Sequence, residues 1–131
     1  RVQIDGVEKK ITKVRLAGID TPELKQQYGP EARDFTQKLL GGKRVDLKCD
    51  GASWDRITCT VFLEQENANE AIVRGGWAYD SAKYSKGAYR TFEARARAQR
   101  IGMWADFDLT SPYCFRHKAN KKCRISQNYM P

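Results

Sequence analysis

The stretch Arg15–Leu16–Ala17–Gly18–Ile19–Asp20–Thr21–Pro22–Glu23 holds the densest group of reactive side chains in the sequence. Ile11 to Leu16, in β-branched style, reads as a strand running directly into it. Pro22 disfavours helix for Thr21, so Asp20 and Thr21 are expected on an extended loop leaving that strand. Arg15 then lies on the strand, and the carboxylates of Asp20 and Glu23 lie on the loop. Phosphodiester hydrolysis needs a site for a cation, a base for water, donors for developing charge and help for the leaving oxygen. Asp20 and the Thr21 carbonyl suit a hard, oxygen-seeking ion such as calcium (Ca2+) or magnesium (Mg2+). Glu23 suits proton removal from water, and Arg15 can fork onto two phosphate oxygens. A capped turn carrying a surface ion pair fits the same spacing, and spacing alone favours that plainer reading.

Upstream, Val2 to Leu16 reads as a β-hairpin, with Val2 and Ile4 alternating with polar residues and Asp5–Gly6 as its turn. Downstream, Pro30 suits a first helical position. Ala32, Phe35 and Leu39 form one apolar face, and Gly41–Gly42 is a stop. Arg44 to Cys49 and Thr58 to Leu63 alternate as strands, with Val45, Leu47 and Cys49 on one face and Cys59, Val61 and Leu63 on another. A short helix is expected over Asn69 to Arg74, ended by Gly75–Gly76, and a brief strand over Trp77 to Tyr79. The last helix is expected over Ala88 to Ile101, with Tyr89, Phe92 and Ala96 inward and Arg90, Arg97 and Arg100 in solvent. Gly102 ends it and Trp104 packs back. This order predicts an α+β domain, a small antiparallel OB-type β-barrel with about three helices. The expected division is a domain over 1–105 and an irregular, basic C-terminal extension over 106–131.

The 24 Lys and Arg against 16 Asp and Glu give a net charge of +8 and favour a polyanionic partner, nucleic acid (DNA or RNA) before an anionic membrane surface. A binder of anionic polysaccharide is also allowed by charge, with no motif behind it. No apolar run approaches the ~18 residues needed to span a bilayer, and no signal segment is visible. A chain of this length fits one domain and is expected to act as a monomer. Four cysteines group as Cys49 with Cys59 and Cys114 with Cys123. If the two strands pair antiparallel, Cys49 and Cys59 flank the connection within disulfide reach. A zinc site on Cys114, His117 and Cys123 competes. It lacks a nearby fourth ligand, its spacing matches no common structural site, and Arg116, Lys118, Lys121 and Lys122 would repel the ion. Two disulfides are therefore expected, and with them a secreted or periplasmic location.

The run from Arg15 to Glu23 resembles the signature of the staphylococcal nuclease, or thermonuclease, family. The resemblance continues through Tyr28–Gly29–Pro30–Glu31–Ala32 with Phe35–Thr36, through Asp55–Arg56–Ile57–Thr58–Cys59, and through Asn69–Glu70–Ala71–Ile72–Val73–Arg74–Gly75–Gly76–Trp77–Ala78. It closes on Tyr84, Tyr89, and the Glu93–Ala94–Arg95–Ala96 helix ending Gly102–Met103–Trp104, covering Val2 to Trp104 in order. It implies Arg15 as a catalytic arginine, Glu23 as general base, and Asp20 with the Thr21 carbonyl as ligands of Ca2+ or Mg2+. Arg56 would lie near a terminal phosphate and Tyr84 beside the nucleotide. Packing under a loop is an equal reading for Tyr84, and Tyr89 belongs to the core.

Two departures temper this expectation. The family's second catalytic arginine falls where this chain has Cys59, which cannot present a fixed charged fork. Losing one strong transition-state donor costs roughly 10²–10³-fold in rate. Arg56 lies three residues upstream, with its direction open. The family's D-G-D-T segment, which carries a further metal ligand and accompanies the first barrel strand, would fall just upstream of Arg1. A truncated start, or another element filling the gap, is expected, and Asp5 is a poor substitute. The sequence thus implies a nucleic-acid-binding domain with divalent-metal-dependent, impaired phosphodiester hydrolysis. The alternative is a catalytically silent nucleic-acid-binding or scaffold domain.

Overall fold

The computed structural model describes the backbone of residues 2–4, 7–9, 13–52 and 56–131, and side chains over 13–51 and 56–131. Asp5, Gly6, Ile11 and Asp55 lie outside the described residues. The element order is β1 (Val2–Ile4), β2 (Val7–Lys9), β3 (Lys13–Leu16), β4 (Ile19–Asp20), α1 (Gly29–Leu40), β5 (Asp46–Ala52), β6 (Arg56–Leu63) and β7 (Glu66–Asn67). Next come α2 (Ala68–Arg74), β8 (Tyr79–Asp80), α3 (Ala82–Ser85), α4 (Arg90–Ala98), a 3₁₀ turn over Gly102–Ala105, α5 (Pro112–Arg116) and α6 (Lys121–Ile125).

The mixed α+β class is as the sequence predicts, but the described residues hold six α-helices instead of about three, because α3, α5 and α6 are short helices of four or five residues. The strands fall into three groups: β1 with β2, the sheet β3–β6–β5 with β7 on β6, and β4 with β8. Among the described residues they do not close into a barrel. Nor is the pairing wholly antiparallel, because β3 runs parallel to β6, placing Arg15 beside Thr58 and Leu16 beside Cys59. A parallel neighbour needs a long crossover, which α1 and β5 provide. The expected pairing of β5 with β6 is found, antiparallel, with Cys49 directly opposite Cys59 and a bulge between Cys49 and Ala52. That register brings the two Cα atoms to 4.0 Å and the sulfurs are joined; Cys114 and Cys123 form the second disulfide.

Helix α1 begins where Pro30 and Glu31 sit in the first turn, and buries Ala32 with Phe35 and Leu39 packed against the core. Helix α4 starts at Arg90, two residues later than its pattern implies. Lys86 and Gly87 turn the chain with positive φ before it, and Tyr89 (φ −108°, ψ 7°) is the non-helical cap, while Tyr89 and Ala96 still face inward. One core cluster joins Ile19, Ile72, Val73, Ala78 and Tyr89. A second joins Tyr79, Ala96, Met103, Trp104 and Leu109. Trp104 packs edge-on to Tyr79 and its indole lies under the Arg97 guanidinium, 4.5 Å away.

Asn69 links sheet and helix. Fully buried on α2, its side chain accepts from the Val61 amide at 3.1 Å and donates to the carbonyls of Ala17 (2.9 Å) and Cys59 (3.3 Å). No aliphatic residue can satisfy those three backbone groups in the interior. The segment after Leu109 is not irregular throughout. Its two short helices are each capped, α5 by the Ser111 hydroxyl and α6 by Asn120.

Asn69→Ala should lower unfolding free energy by at least about 2 kcal/mol, since it strands buried backbone groups; chemical denaturation would measure it. The double variant Cys49→Ala/Cys59→Ala should lose about 2–3 kcal/mol by the same measurement, the value for a loop of this length.

Candidate active site

Residues 15–29 are held from three sides. Strand β3 pairs with β6 and carries Arg15 to the surface. Three residues beyond its end, Ile19 pairs with Asp80 and Asp20 with Tyr79, and the Ser81 amide donates to the Gly18 carbonyl at 2.9 Å. This short ladder fixes the backbone at Asp20. Beyond Pro22, which is buried, the loop folds around Gln26. The Gln26 amide donates to the Glu23 carbonyl at 2.8 Å, and its side-chain oxygen accepts from the Glu23 amide at 3.1 Å. The Gln26 Nε2 donates to the Thr110 carbonyl at 2.5 Å. Gly29 completes the clamp: a Cβ there would stand 2.0 Å from the Glu23 carbonyl oxygen, so only glycine lets α1 start this close to the loop.

Arg15, Asp20, Thr21, Glu23, Arg56 and Arg116 line one open groove of about 1120 Å³. Five of these are the residues singled out in the sequence. The sixth, Arg116, comes from α5. Arg116 forks onto Asp20, Nη2 to Oδ2 at 2.7 Å and Nη1 to Oδ1 at 3.1 Å, while Nη1 also donates to Glu23 Oε1 at 2.7 Å. A single guanidinium nitrogen is therefore shared by both carboxylates. Donating to the Asp20 carboxylate holds the Arg116 pKa above the ordinary arginine range, burial opposes this, and the hydrogen bond to Glu23 adds to it. The Asp20 side chain is 14% exposed and that of Glu23 41%, so the pair grades from sheltered to open.

Other residues lie elsewhere. Tyr84 is outside the groove lining and 72% exposed. Cys59 is fully buried and disulfide-bonded, so its side chain offers the groove nothing. Among the described residues no group of three or more His, Cys, Asp or Glu gathers as a metal cage. The donors present are nonetheless all oxygen: one sheltered carboxylate, a neighbouring carbonyl and a more open carboxylate. Such a partial set suits a hard divalent ion that keeps water and substrate phosphate as further ligands. That the position attracts positive charge is visible in Arg116 itself.

Gln26 and Arg116 are the residues bonded to the acidic loop that the sequence pattern missed. Nothing local marks Gln26. Arg116 stands in a basic run after Ser111–Pro112, a readable helix start, but its contacts lie 93 and 96 residues away.

With this geometry in place, similarity to known proteins becomes informative. The family described as staphylococcal nuclease homologue matches residues 13–106. A protein of Escherichia coli named "Uncharacterized endonuclease" is 32% identical over 113 residues, covering 84% of this chain and 74% of its own length. A "Staphylococcal-like nuclease" of Arabidopsis thaliana is 31% identical over 116 residues, 87% of this chain but 36% of its own length. "Protein ParB" of Escherichia coli is 29% identical over 130 residues, 88% of this chain and 73% of its own. The groove residues Arg15, Asp20, Thr21, Glu23 and Arg56 all fall within the matched segment, whereas Arg116 falls beyond it, and the chain belongs to the staphylococcal nuclease homologue family.

Proposed function

We propose that this chain binds DNA or RNA in the groove and hydrolyses its phosphodiester bonds with a divalent cation, Ca2+ or Mg2+. The observation that carries the reading is the convergence of Arg15, Asp20, Thr21 and Glu23 on one open groove, in a chain whose relatives include an endonuclease. In this reading Asp20 and the Thr21 carbonyl hold the cation, which when bound neutralises phosphate charge and polarises a phosphoryl oxygen. Glu23, the more exposed carboxylate, takes the proton from the attacking water. Arg15 forks onto the non-bridging oxygens and receives the charge that grows on them. Arg56 binds a flanking phosphate, and Tyr84 offers an exposed ring against which a base can stack. Two disulfides support a secreted or periplasmic location, and the chain is taken to act as a monomer. Within it, 1–105 is the nuclease-like part and 106–131 the stapled extension.

A second reading, a nucleic-acid-binding domain without cleavage, is favoured by one observation: Cys59 is sealed in a disulfide where a second charged donor would be expected. Under the first reading that substitution weakens hydrolysis.

A cleavage assay on a single-stranded oligonucleotide, with calcium, magnesium and chelator, separates the two. Metal-dependent product should form with the native chain and fall by roughly 10²–10⁴-fold in Glu23→Gln, the ordinary worth of a general base. Binding with no product in either cation would favour the silent domain. Affinity for the same oligonucleotide, measured by fluorescence anisotropy, should drop roughly tenfold between about 50 and 200 mM salt if about three phosphates are contacted. Salt-insensitive binding would remove nucleic acid as the partner.

A further inference from the structure

We infer that Arg116 is a second phosphate-directed guanidinium of this site, parked on Asp20 and Glu23 and released to the substrate when a divalent cation takes Asp20. The inference rests on the nuclease reading for its substrate and on geometry for everything else. Arg116 engages both oxygens of Asp20 and one of Glu23. A guanidinium forked in that way covers the face of the carboxylate that a cation would use. Two positive charges on one carboxylate repel, so Arg116 must yield Asp20 as the cation arrives.

Its root, however, stays where it is. Helix α5 is capped by Ser111 and stapled to α6 through Cys114–Cys123, two residues before Arg116. The Ser111 amide donates to the Gln127 carbonyl at 2.9 Å and its hydroxyl to the Tyr129 carbonyl at 2.6 Å. Gln26 ties the Glu23 turn to Thr110. A released Arg116 side chain is therefore tethered at the rim of the groove that Arg15 also lines. The negative group that enters this groove with the cation is the phosphodiester. A planar fork that matches a carboxylate also matches two phosphate oxygens, so Arg116 exchanges one anion for the other. Parking serves the empty site, since it keeps Asp20 and Glu23 from facing each other unneutralised.

Three measurements on the full chain test this. In calorimetry with calcium chloride and no nucleic acid, Arg116→Ala should bind calcium roughly tenfold more tightly than the native chain, for a parked state holding about nine molecules in ten. At saturating calcium, kcat for a single-stranded oligonucleotide should fall by about 10²-fold in Arg116→Ala, with Arg116→Lys between the two because it keeps charge without the fork. Arg116→Gln repeats both arms should the alanine variant melt well below the native chain. Unchanged calcium affinity overturns the shared site. Native or faster turnover at saturating calcium shows Arg116 to be only an obstruction, and overturns its role towards phosphate. If the native chain cleaves in neither cation, the nuclease reading itself fails and the phosphate role with it, while the calcium arm still decides whether Arg116 and the ion compete.

Discussion

The amide of Asn69 is where the sheet and the helices are tied together. Three backbone groups meet at the junction of β3, β6 and α2, and one buried side chain bonds all of them, the Cys59 carbonyl being shared with the Ala17 amide. Hydrophobic contact alone would hold α2 near the sheet without fixing its register, because apolar packing is not directional. Hydrogen bonds to the Ala17 and Cys59 carbonyls set that register, and the end of β3 is the point from which the carboxylate loop departs. The same bonds therefore position Asp20 and Glu23 at one remove. Asn67 caps α2 through the Glu70 amide and bonds the Tyr89 hydroxyl, which ties α4 to the same corner.

The groove shows how a protein keeps acidic groups together in an otherwise basic chain. Asp20 and Glu23 are neutralised only in part by a single arginine, leaving the three groups with a net charge of −1. Because the Arg116 side chain remains about one-third exposed, its ion pairs add little to stability. Their effect is on charge distribution at the site. Basic groove residues and the +8 of the whole chain surround these two carboxylates, an arrangement suited to drawing in a polyanion around one point where a cation can be held.

Much of this was legible in the residues. Pro30 and Gly41 bracket α1, period-two alternation marks β5 and β6, and the two disulfides match the cysteine pairing expected from those patterns. The carboxylate loop was legible because Pro22 and the strand before it constrain the backbone over a few residues. What escaped depends on distance in the chain. The parallel alignment of β3 with β6 is decided by a crossover of about forty residues, and no local pattern encodes its direction. The late start of α4 reflects the non-helical backbone at Tyr89, which follows a positive-φ turn over Lys86 and Gly87, and of these three residues only the glycine gives a local signal. Helices α5 and α6 are too short to show periodicity. Gln26 and Arg116 act through partners that only the folded chain brings near.

The Thr110 carbonyl that receives Gln26 lies four residues beyond the segment matched by the family model. Also beyond it are Leu109 in the second core cluster, Asn128 on the Tyr79 hydroxyl, and Met130 against the same cluster. The segment matched by the family model is thus smaller than the set of residues that pack together here. Cutting at residue 106 would leave a recognisable signature on a chain that had lost part of its interior and the brace of its own acidic loop.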